Sequence, residues 1–154
     1  MKLTEHFNLE EFTFSQDADR NGINNTPSEA IIERLKTVAS QLEHIRTLLN
    51  GLPIHVSSGY RCLALNRSIG SKDTSAHVLG WAVDFSCPAF GTPKEVAKRI
   101  DESGMKYDQL ICEGVSKIKP QGAWVHISFD PKMRNELLTM RTVGGIQSYT
   151  KGLP

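Results

Sequence analysis

Hydrophobic residues recur at three- and four-residue steps along one segment in the first third of the chain. From Ser28 to Leu49 this spacing is that of one face of an α-helix. Pro27 and Ser28 supply a start signal, and Asn50-Gly51 supplies a stop signal. The apolar positions are Ile31, Ile32, Leu35, Val38, Ala39, Leu42, Ile45, Leu48 and Leu49. The pattern therefore predicts one long helix with a buried face.

A second helix is predicted in the segment "TPKEVAKRIDESG". Thr92 is placed to cap its first turn, Pro93 occupies the first helical position and Glu95 the third. Gly104 follows the last turn, where a helix commonly ends. A shorter helix, "LALNRSIG", is predicted to close at Gly70.

Alternation of apolar and polar residues predicts four strands. The first lies in "PIHVSSGYRC" and runs into a loop that begins near Ser57, and the second is "GWAVDFSC", preceded by the loop "SKDTSAH". "YDQLICE" and "AWVHISF" are predicted to pair as a hairpin. The loop between them contains Lys117, Lys119, Pro120 and Gly122.

A chain of 154 residues is long enough for one domain with a proper core. We expect an N-terminal arm packed on the domain (residues 1–27), a catalytic core (28–130) and a C-terminal tail (131–154). The tail contains a short helix-compatible stretch and then Gly144-Gly145, and its sequence suggests no function.

Composition narrows the class of protein. The net charge of +1 gives no electrostatic reason to expect binding to nucleic acid or to an anionic membrane. The acidic residues near the N-terminus argue against a signal peptide, and no segment predicts membrane insertion, so synthesis in the cytoplasm is expected. Cys62, Cys87 and Cys112 form no CxxC pair and are expected to be reduced and mostly buried.

Three polar residues in otherwise apolar segments could form a metal site. A catalytic zinc needs three nitrogen or oxygen ligands and an open position, which His77, Asp84 and His126 could supply. Gly80 would let the chain bend between the first two. A histidine in an apolar strand is more often a hydrogen-bonded core residue, but Asp84, between Val83 and Phe85, requires a cation if it is buried.

These residues belong to ordered motifs. "SGYR" at Ser58 to Arg61, Asn66, "SAHVLGWAVDF" and "WVHIS" resemble the pattern of the M15 zinc peptidases, most closely their phage-type branch. That family contains D-Ala-D-Ala carboxypeptidases and peptidoglycan endopeptidases, including phage endolysins. The resemblance implies one Zn²⁺ held by His77, Asp84 and His126. It also implies an α+β fold of the Hedgehog/DD-peptidase type, with helices packed on a central, mainly antiparallel sheet.

The resemblance also suggests residues that bind substrate. Arg61 would hold a substrate carboxylate or carbonyl through its planar fork, although a surface position is the commoner fate of an arginine. Ser75 would donate a hydrogen bond to the peptide. Tyr60 and Trp124 would form walls, and core packing is an equally good reading of both aromatics. Asn66 is expected to brace the loop.

The catalytic base is where the sequence departs from well-known relatives. They carry an acidic residue three positions before the last zinc histidine, where this chain has Ala123. Glu113 is the best substitute. If it pairs with Trp124 across the hairpin it shares the face of His126, whereas pairing with Ala123 turns it away. Asp108 and Asp130 are weaker alternatives, better read as turn residues.

The leading interpretation is a zinc metallopeptidase that cleaves peptidoglycan stem peptides, in the manner of a phage or prophage endolysin that acts on the wall once released. A zinc-stabilised, non-catalytic phage structural or binding domain is the alternative that Ala123 makes credible. A cytoplasmic dipeptidase acting on recycled wall peptides is a third. His6, His44 and His55 have no partners in the motif and are interpreted as surface or structural residues.

Overall fold

The long amphipathic helix packs on one face of a six-stranded sheet in a computed structural model of the chain, which describes residues 1–116 and 123–154. The helices are α1 (Leu9–Thr13), α2 (Gln16–Arg20), α3 (Glu29–Leu48), α4 (Leu63–Ser68) and α5 (Pro93–Glu102). The strands are β1 (His55–Ser58), β2 (Ala82–Ser86), β3 (Gln109–Val115), β4 (Trp124–Ser128), β5 (Glu136–Val143) and β6 (Ile146–Lys151).

The strand order of the sheet is β1-β2-β4-β3-β5-β6. Every neighbouring pair is antiparallel except β3 and β5, which run parallel. The expected α+β fold with a mainly antiparallel sheet is therefore confirmed.

The two faces of the sheet have different roles. Because side chains alternate along a strand, β2 and β4 send every second residue towards the helices. Those residues join the hydrophobic core with α3 and α5, and they are Val83, Phe85, Val125 and Ile127. The residues between them, Asp84 and His126 among others, lie on the opposite face. One layer of helices thus stabilises the sheet while leaving its other face open for chemistry.

The predicted helix signals are confirmed. The Ser28 hydroxyl accepts the backbone N–H of Ile31 at the start of α3, and the Thr92 hydroxyl accepts that of Glu95 at the start of α5. The helix α4 ends just before Gly70, whose φ of 78° only glycine adopts readily.

The N-terminal arm contains the short helices α1 and α2 and packs through Phe7 and Phe12, which are 2% and 0% exposed. The three cysteines are free, with Cys87 and Cys112 buried and Cys62 half-buried, as expected. Across the described ranges, none of the helices has the length and apolar character needed to span a bilayer.

The expectation of a short helix in the C-terminal tail is wrong. Residues 136–151 form the hairpin β5–β6, which adds two strands to the sheet. The Gly144-Gly145 pair makes the turn, with φ of 59° and 80°, and Val143 pairs with Ile146 across it. Positive φ at both central residues is what a two-residue type I′ hairpin turn requires, so the glycines favour a hairpin over a helix.

The predicted pairing of "YDQLICE" with "AWVHISF" is confirmed by the antiparallel register of β3 and β4. The loop that joins them, with Lys117, Lys119, Pro120 and Gly122, lies outside the described residues.

The start of β5 is tied to the start of β3 by an ion pair. Asp108 is only 1% exposed. Its carboxylate accepts hydrogen bonds from Nε and Nη2 of Arg134, each at 2.9 Å, and from the Arg134 backbone N–H at 3.0 Å. Hydrogen bonding from Arg134 lowers the pKa of Asp108. A depressed folded-state pKa means that the pair stabilises the protein above the unfolded pKa, and that this contribution disappears as pH falls through the folded value.

We predict that Arg134→Gln lowers the free energy of unfolding at pH 7 by about 1–2 kcal/mol. Removing the half-exposed guanidinium leaves the buried Asp108 carboxylate without its charge partner. Urea denaturation measures this change. The difference from wild type should shrink between pH 7 and acid pH, as the pH falls through the lowered pKa of Asp108. Lys98→Gln, which breaks an exposed 3.9 Å contact with Glu102, is the control and should have an effect below about 0.5 kcal/mol. An equal loss at both pH values would contradict the assigned role of the Asp108 charge.

Candidate metal centre and cleft

Two of the three candidate ligands face each other across the middle of the sheet. Asp84 of β2 and His126 of β4 are directly opposed in the antiparallel register. Residues so paired project from the same face of the sheet at close distance. Their side chains meet, with Nδ1 of His126 2.9 Å from Oδ1 of Asp84. The pairing of β2 with β4 therefore fixes the backbone positions that bring these two side chains into contact.

The third candidate, His77, comes from the turns that precede β2. Gly80 has φ of 78°, so it makes the sharp bend that the sequence predicted between His77 and Asp84. Nε2 of His77 lies 3.2 Å from Oδ1 of Asp84. The other ring nitrogen, Nδ1, lies 2.7 Å from the carbonyl oxygen of Gly59. A carbonyl can only accept, so Nδ1 carries the proton and Nε2 is left as a free donor of its lone pair.

The three groups are almost fully buried: His77 is 3% exposed, and Asp84 and His126 are each 7% exposed. Burial opposes the charged form of Asp84, but the two imidazoles outweigh it and lower the pKa of the carboxyl. Burial also lowers the pKa of His77, against the opposing effect of the Asp84 charge and hydrogen bond. For His126, burial acts in the same direction, but the hydrogen bond to Asp84 wins and raises the pKa of the ring.

These donors fit a small divalent cation. One ligand atom from each residue lies within 4.8 Å of the others. Ligands bound tetrahedrally at about 2.0–2.2 Å from zinc would be separated by roughly 3.4 Å, close to the 2.9 and 3.2 Å seen around Asp84. Two imidazoles and one carboxylate leave one position of a tetrahedron open, as in catalytic zinc sites. A metal-binding histidine usually donates its other ring N–H to a carbonyl or carboxylate, as His77 does to the Gly59 carbonyl.

Glu113 lies on the same face as the metal centre. In the register of β3 and β4 it pairs with Trp124, and Ile111 pairs with His126. Of the two registers that the sequence left open, the structure adopts the one that turns Glu113 towards the site. The carboxyl therefore lines the same cleft as His77, Asp84 and His126.

The surroundings of Glu113 favour a proton acceptor that binds its proton unusually well. Burial raises the pKa of Glu113, and the nearby Asp84 charge acts in the same direction, while His126, Trp124 and Arg61 oppose both. The indole N–H of Trp124 favours the charged carboxylate, and its Nε1 is buried with no well-aligned hydrogen-bond acceptor in the described part of the chain. The indole N–H therefore lies beside the Glu113 carboxyl.

Arg61 is held rigidly at the edge of the site. Its Nε donates to Oδ1 of Asn66 at 3.0 Å, and its Nη1 donates to the Ser58 hydroxyl at 3.0 Å. Asn66, which is fully buried, also donates to the carbonyl oxygen of Lys72 at 2.7 Å and so braces the loop as expected. Burial lowers the pKa of Arg61, whereas the charges of Asp84 and Glu113 raise it. The guanidinium is therefore oriented towards a negatively charged site.

The metal centre lies in a cleft of about 780 Å³. This volume is within the range of binding sites for small ligands and short peptides. Ser75 and Trp124 line the cleft together with Arg61, so the structure brings these three predicted residues to the site.

A model of the peptidase M15 family matches residues 5–128. The match includes all three candidate ligands and Glu113. The chain belongs to the M15 peptidase family. M15 peptidases depend on zinc, and the geometry around Asp84 is that of a site able to hold such an ion. No curated protein matches this M15 peptidase.

One predicted wall residue lies elsewhere. Tyr60 does not line the cleft but packs against the hydrophobic core, because its backbone N–H is tied to the carbonyl oxygen of Phe12 at 2.7 Å on the side of the N-terminal arm. The two weaker candidates for the base have structural roles. Asp108 is paired with Arg134, and the Asp130 carboxylate accepts the backbone N–H of Lys132 in a turn.

The three remaining histidines of the M15 peptidase are exposed, as the sequence suggested. His6 contacts Glu43 through Nδ1 at 2.8 Å, and His44 and His55 lie at the surface of α3 and β1.

Several residues of the cleft were not predicted. They lie in the C-terminal hairpin and in the loops around α4 and β5, and include Lys72, Lys132, Leu138, Met140, Gln147 and Tyr149. The sequence signal for the cleft residues in the hairpin is the Gly144-Gly145 turn, flanked within 136–151 by residues that alternate between apolar and polar.

We predict that Gly59→Ala weakens zinc binding by about 10- to 100-fold, the usual cost of losing a group that orients a metal ligand. A Cβ at residue 59 would lie 2.5 Å from the carbonyl oxygen of Phe12, so the backbone must shift and take the Gly59 carbonyl away from His77. Competition with a chromophoric chelator measures the affinity.

Gly91→Ala is the matched control, because its Cβ would meet the flexible Glu95 side chain, with Oε2 nearest at 2.6 Å, and no backbone atom among the nearest contacts. Its zinc affinity should equal that of wild type. Wild-type affinity in a folded Gly59→Ala protein would contradict the role of the carbonyl.

Proposed function

We propose that this M15 peptidase is a zinc metallopeptidase that hydrolyses peptide bonds in the stem peptides of bacterial peptidoglycan. The observation that carries the proposal is the placement of Glu113 on the face of His77, Asp84 and His126, in one cleft. A metal-binding set without a neighbouring base would suit a structural site, whereas a set with one suits hydrolysis.

His77 Nε2, Asp84 and His126 Nδ1 would hold a zinc ion, whose Lewis acidity would polarise the scissile carbonyl and acidify a water molecule. Glu113 takes the proton from the attacking water onto its carboxylate and then passes it to the nitrogen of the leaving amine. The raised pKa of Glu113 supports both steps, since the carboxyl must hold the proton between them.

The remaining side chains bind the peptide. Arg61 donates Nε to Asn66 and Nη1 to Ser58, so among the described residues its Nη2 remains available for a carboxylate or carbonyl oxygen of the substrate. Ser75 offers a hydroxyl at the rim of the cleft. The indole N–H of Trp124, beside Glu113, is placed to donate to a substrate oxygen.

Peptidoglycan as substrate and a phage or prophage endolysin as biological setting rest on the resemblance of the sequence motifs to the phage-type branch. The non-catalytic alternative was suggested by Ala123. Glu113 fills the role that Ala123 leaves vacant, which supports the enzyme over the structural domain.

We predict that the wild-type protein clears purified peptidoglycan in a zymogram and that a chelator abolishes clearing, which zinc restores. Glu113→Gln should lower the rate by about 10²- to 10⁴-fold while retaining one bound zinc, because the amide cannot accept the proton. Metal analysis of the same samples measures zinc, and mass spectrometry of released fragments identifies the bond.

Glu33→Gln changes an exposed glutamate on α3 that pairs with Lys36, and this matched control should keep wild-type activity. Full activity of Glu113→Gln would reject Glu113 as the base. Stoichiometric zinc with no cleavage by wild type would favour the structural domain.

A further inference from the structure

The C-terminal hairpin reaches the metal cleft from the side opposite Arg61. The strands β5 and β6 extend the sheet beyond β3, the strand that carries Glu113. They lie outside residues 5–128, the part of the chain that matches the family. Four residues of the hairpin line the same cleft as the metal ligands: Leu138, Met140, Gln147 and Tyr149. The hairpin therefore adds to this chain a surface that the family pattern does not describe.

An apolar strip crosses the floor of the cleft from the metal centre to the hairpin. Ile111 pairs with His126 on one side and with Leu138 on the other, so the three side chains share one face. Met140 lies two residues further along β5 on that face. Ile111 and Met140 are only 4% and 3% exposed. Such a floor excludes water and favours an apolar group of the substrate.

Tyr149 stands at the far edge of this floor. It pairs with Met140 across β5 and β6, and it is 53% exposed. Burial raises the pKa of Tyr149, and the charges of Glu113 and Asp84 raise it further, which places the phenol within electrostatic reach of the site. Within residues 1–116 and 123–154 its hydroxyl makes no hydrogen bond. The phenol is thus a neutral donor that faces the cleft with nothing to donate to.

The two sides of the metal centre differ in chemistry. Arg61, Lys72 and Ser75 provide cationic and hydroxyl groups from the loops around α4, and the hairpin provides the apolar Leu138 and Met140 with the phenol of Tyr149 and the amide of Gln147. Lys132 and Arg134, just before β5, also line the cleft. A peptide lying across the sheet would meet Arg61 and Lys72 at one end and, over β5, an apolar floor of Leu138 and Met140 bordered by Tyr149.

We propose that Tyr149, with Leu138 and Met140, forms a subsite that holds a small apolar side chain of the substrate next to the scissile bond and donates a hydrogen bond to the peptide backbone. This subsite deepens the proposed function and rests on it. The alanine residues of peptidoglycan stems have side chains of the kind it would take. Tyr149 contacts substrate in this role and takes no part in proton transfer.

The test is the steady-state cleavage of two defined muropeptides, a disaccharide pentapeptide and a cross-linked dimer, by zinc-loaded wild type, Tyr149→Ala and Tyr149→Phe. Tyr149→Ala should raise KM about tenfold, since a hydrogen bond and a packing contact together are worth roughly 1.4 kcal/mol, with kcat and bound zinc unchanged. Tyr149→Phe, which keeps the ring, should raise KM by only about two- to fivefold. Ser148→Ala, on the same strand but the opposite face, is the control and should match wild type.

The outcomes separate the two proposals. Cleavage by wild type with an unchanged KM in Tyr149→Ala would overturn the subsite and leave the peptidase intact. A fall in kcat or in bound zinc at constant KM would also overturn it, because the residue would then act on the metal centre or the fold. Cleavage of neither muropeptide by zinc-loaded wild type would reject the proposed function and the subsite with it.

Discussion

The carboxylate of Asp84, buried between two imidazoles, is the constraint on which the rest of the molecule depends. Removing a charged carboxylate from water costs several kcal/mol unless partners compensate for it. Here Nε2 of His77 and Nδ1 of His126 lie 3.2 and 2.9 Å from one carboxylate oxygen. The metal that such a trio binds would add the missing positive charge. The strand register, the turn at Gly80 and the Gly59 carbonyl all serve to bring these three groups together.

The sheet separates stability from chemistry by using its two faces. Residues such as Val83 and Ile127 pack with α3 and α5 and stabilise the strands, so the alternate residues are free to be polar. The N-terminal arm also helps to position a metal ligand. Its Phe12 carbonyl accepts the Tyr60 N–H, which positions the loop whose Gly59 carbonyl orients His77. A surface segment is thereby linked to the geometry of the metal ligands.

Much of the fold and the ligand set could be predicted from sequence because their signals are local. The caps of α3 and α5 lie within a turn of the helices they begin, and His77, Asp84 and His126 occur in ordered motifs. Glu113 could be named but not oriented, since a one-residue change of register reverses a side chain and depends on long-range pairing. The position of the Tyr60 side chain likewise depends on a long-range contact, the hydrogen bond from its backbone N–H to the Phe12 carbonyl oxygen. The C-terminal tail differs from its prediction for another reason: the stretch before Gly144-Gly145 is compatible with a helix, whereas the glycine pair itself favours the turn of a hairpin.

The most direct test of the account is a crystal structure of the zinc-loaded protein with anomalous diffraction measured at the zinc edge. We predict a single anomalous peak at about 2.0–2.2 Å from His77 Nε2, an Asp84 carboxylate oxygen and His126 Nδ1, with Glu113 facing the open coordination position. A peak bound by other residues, or no peak in protein soaked with excess zinc, would contradict the central claim that this trio is the metal centre.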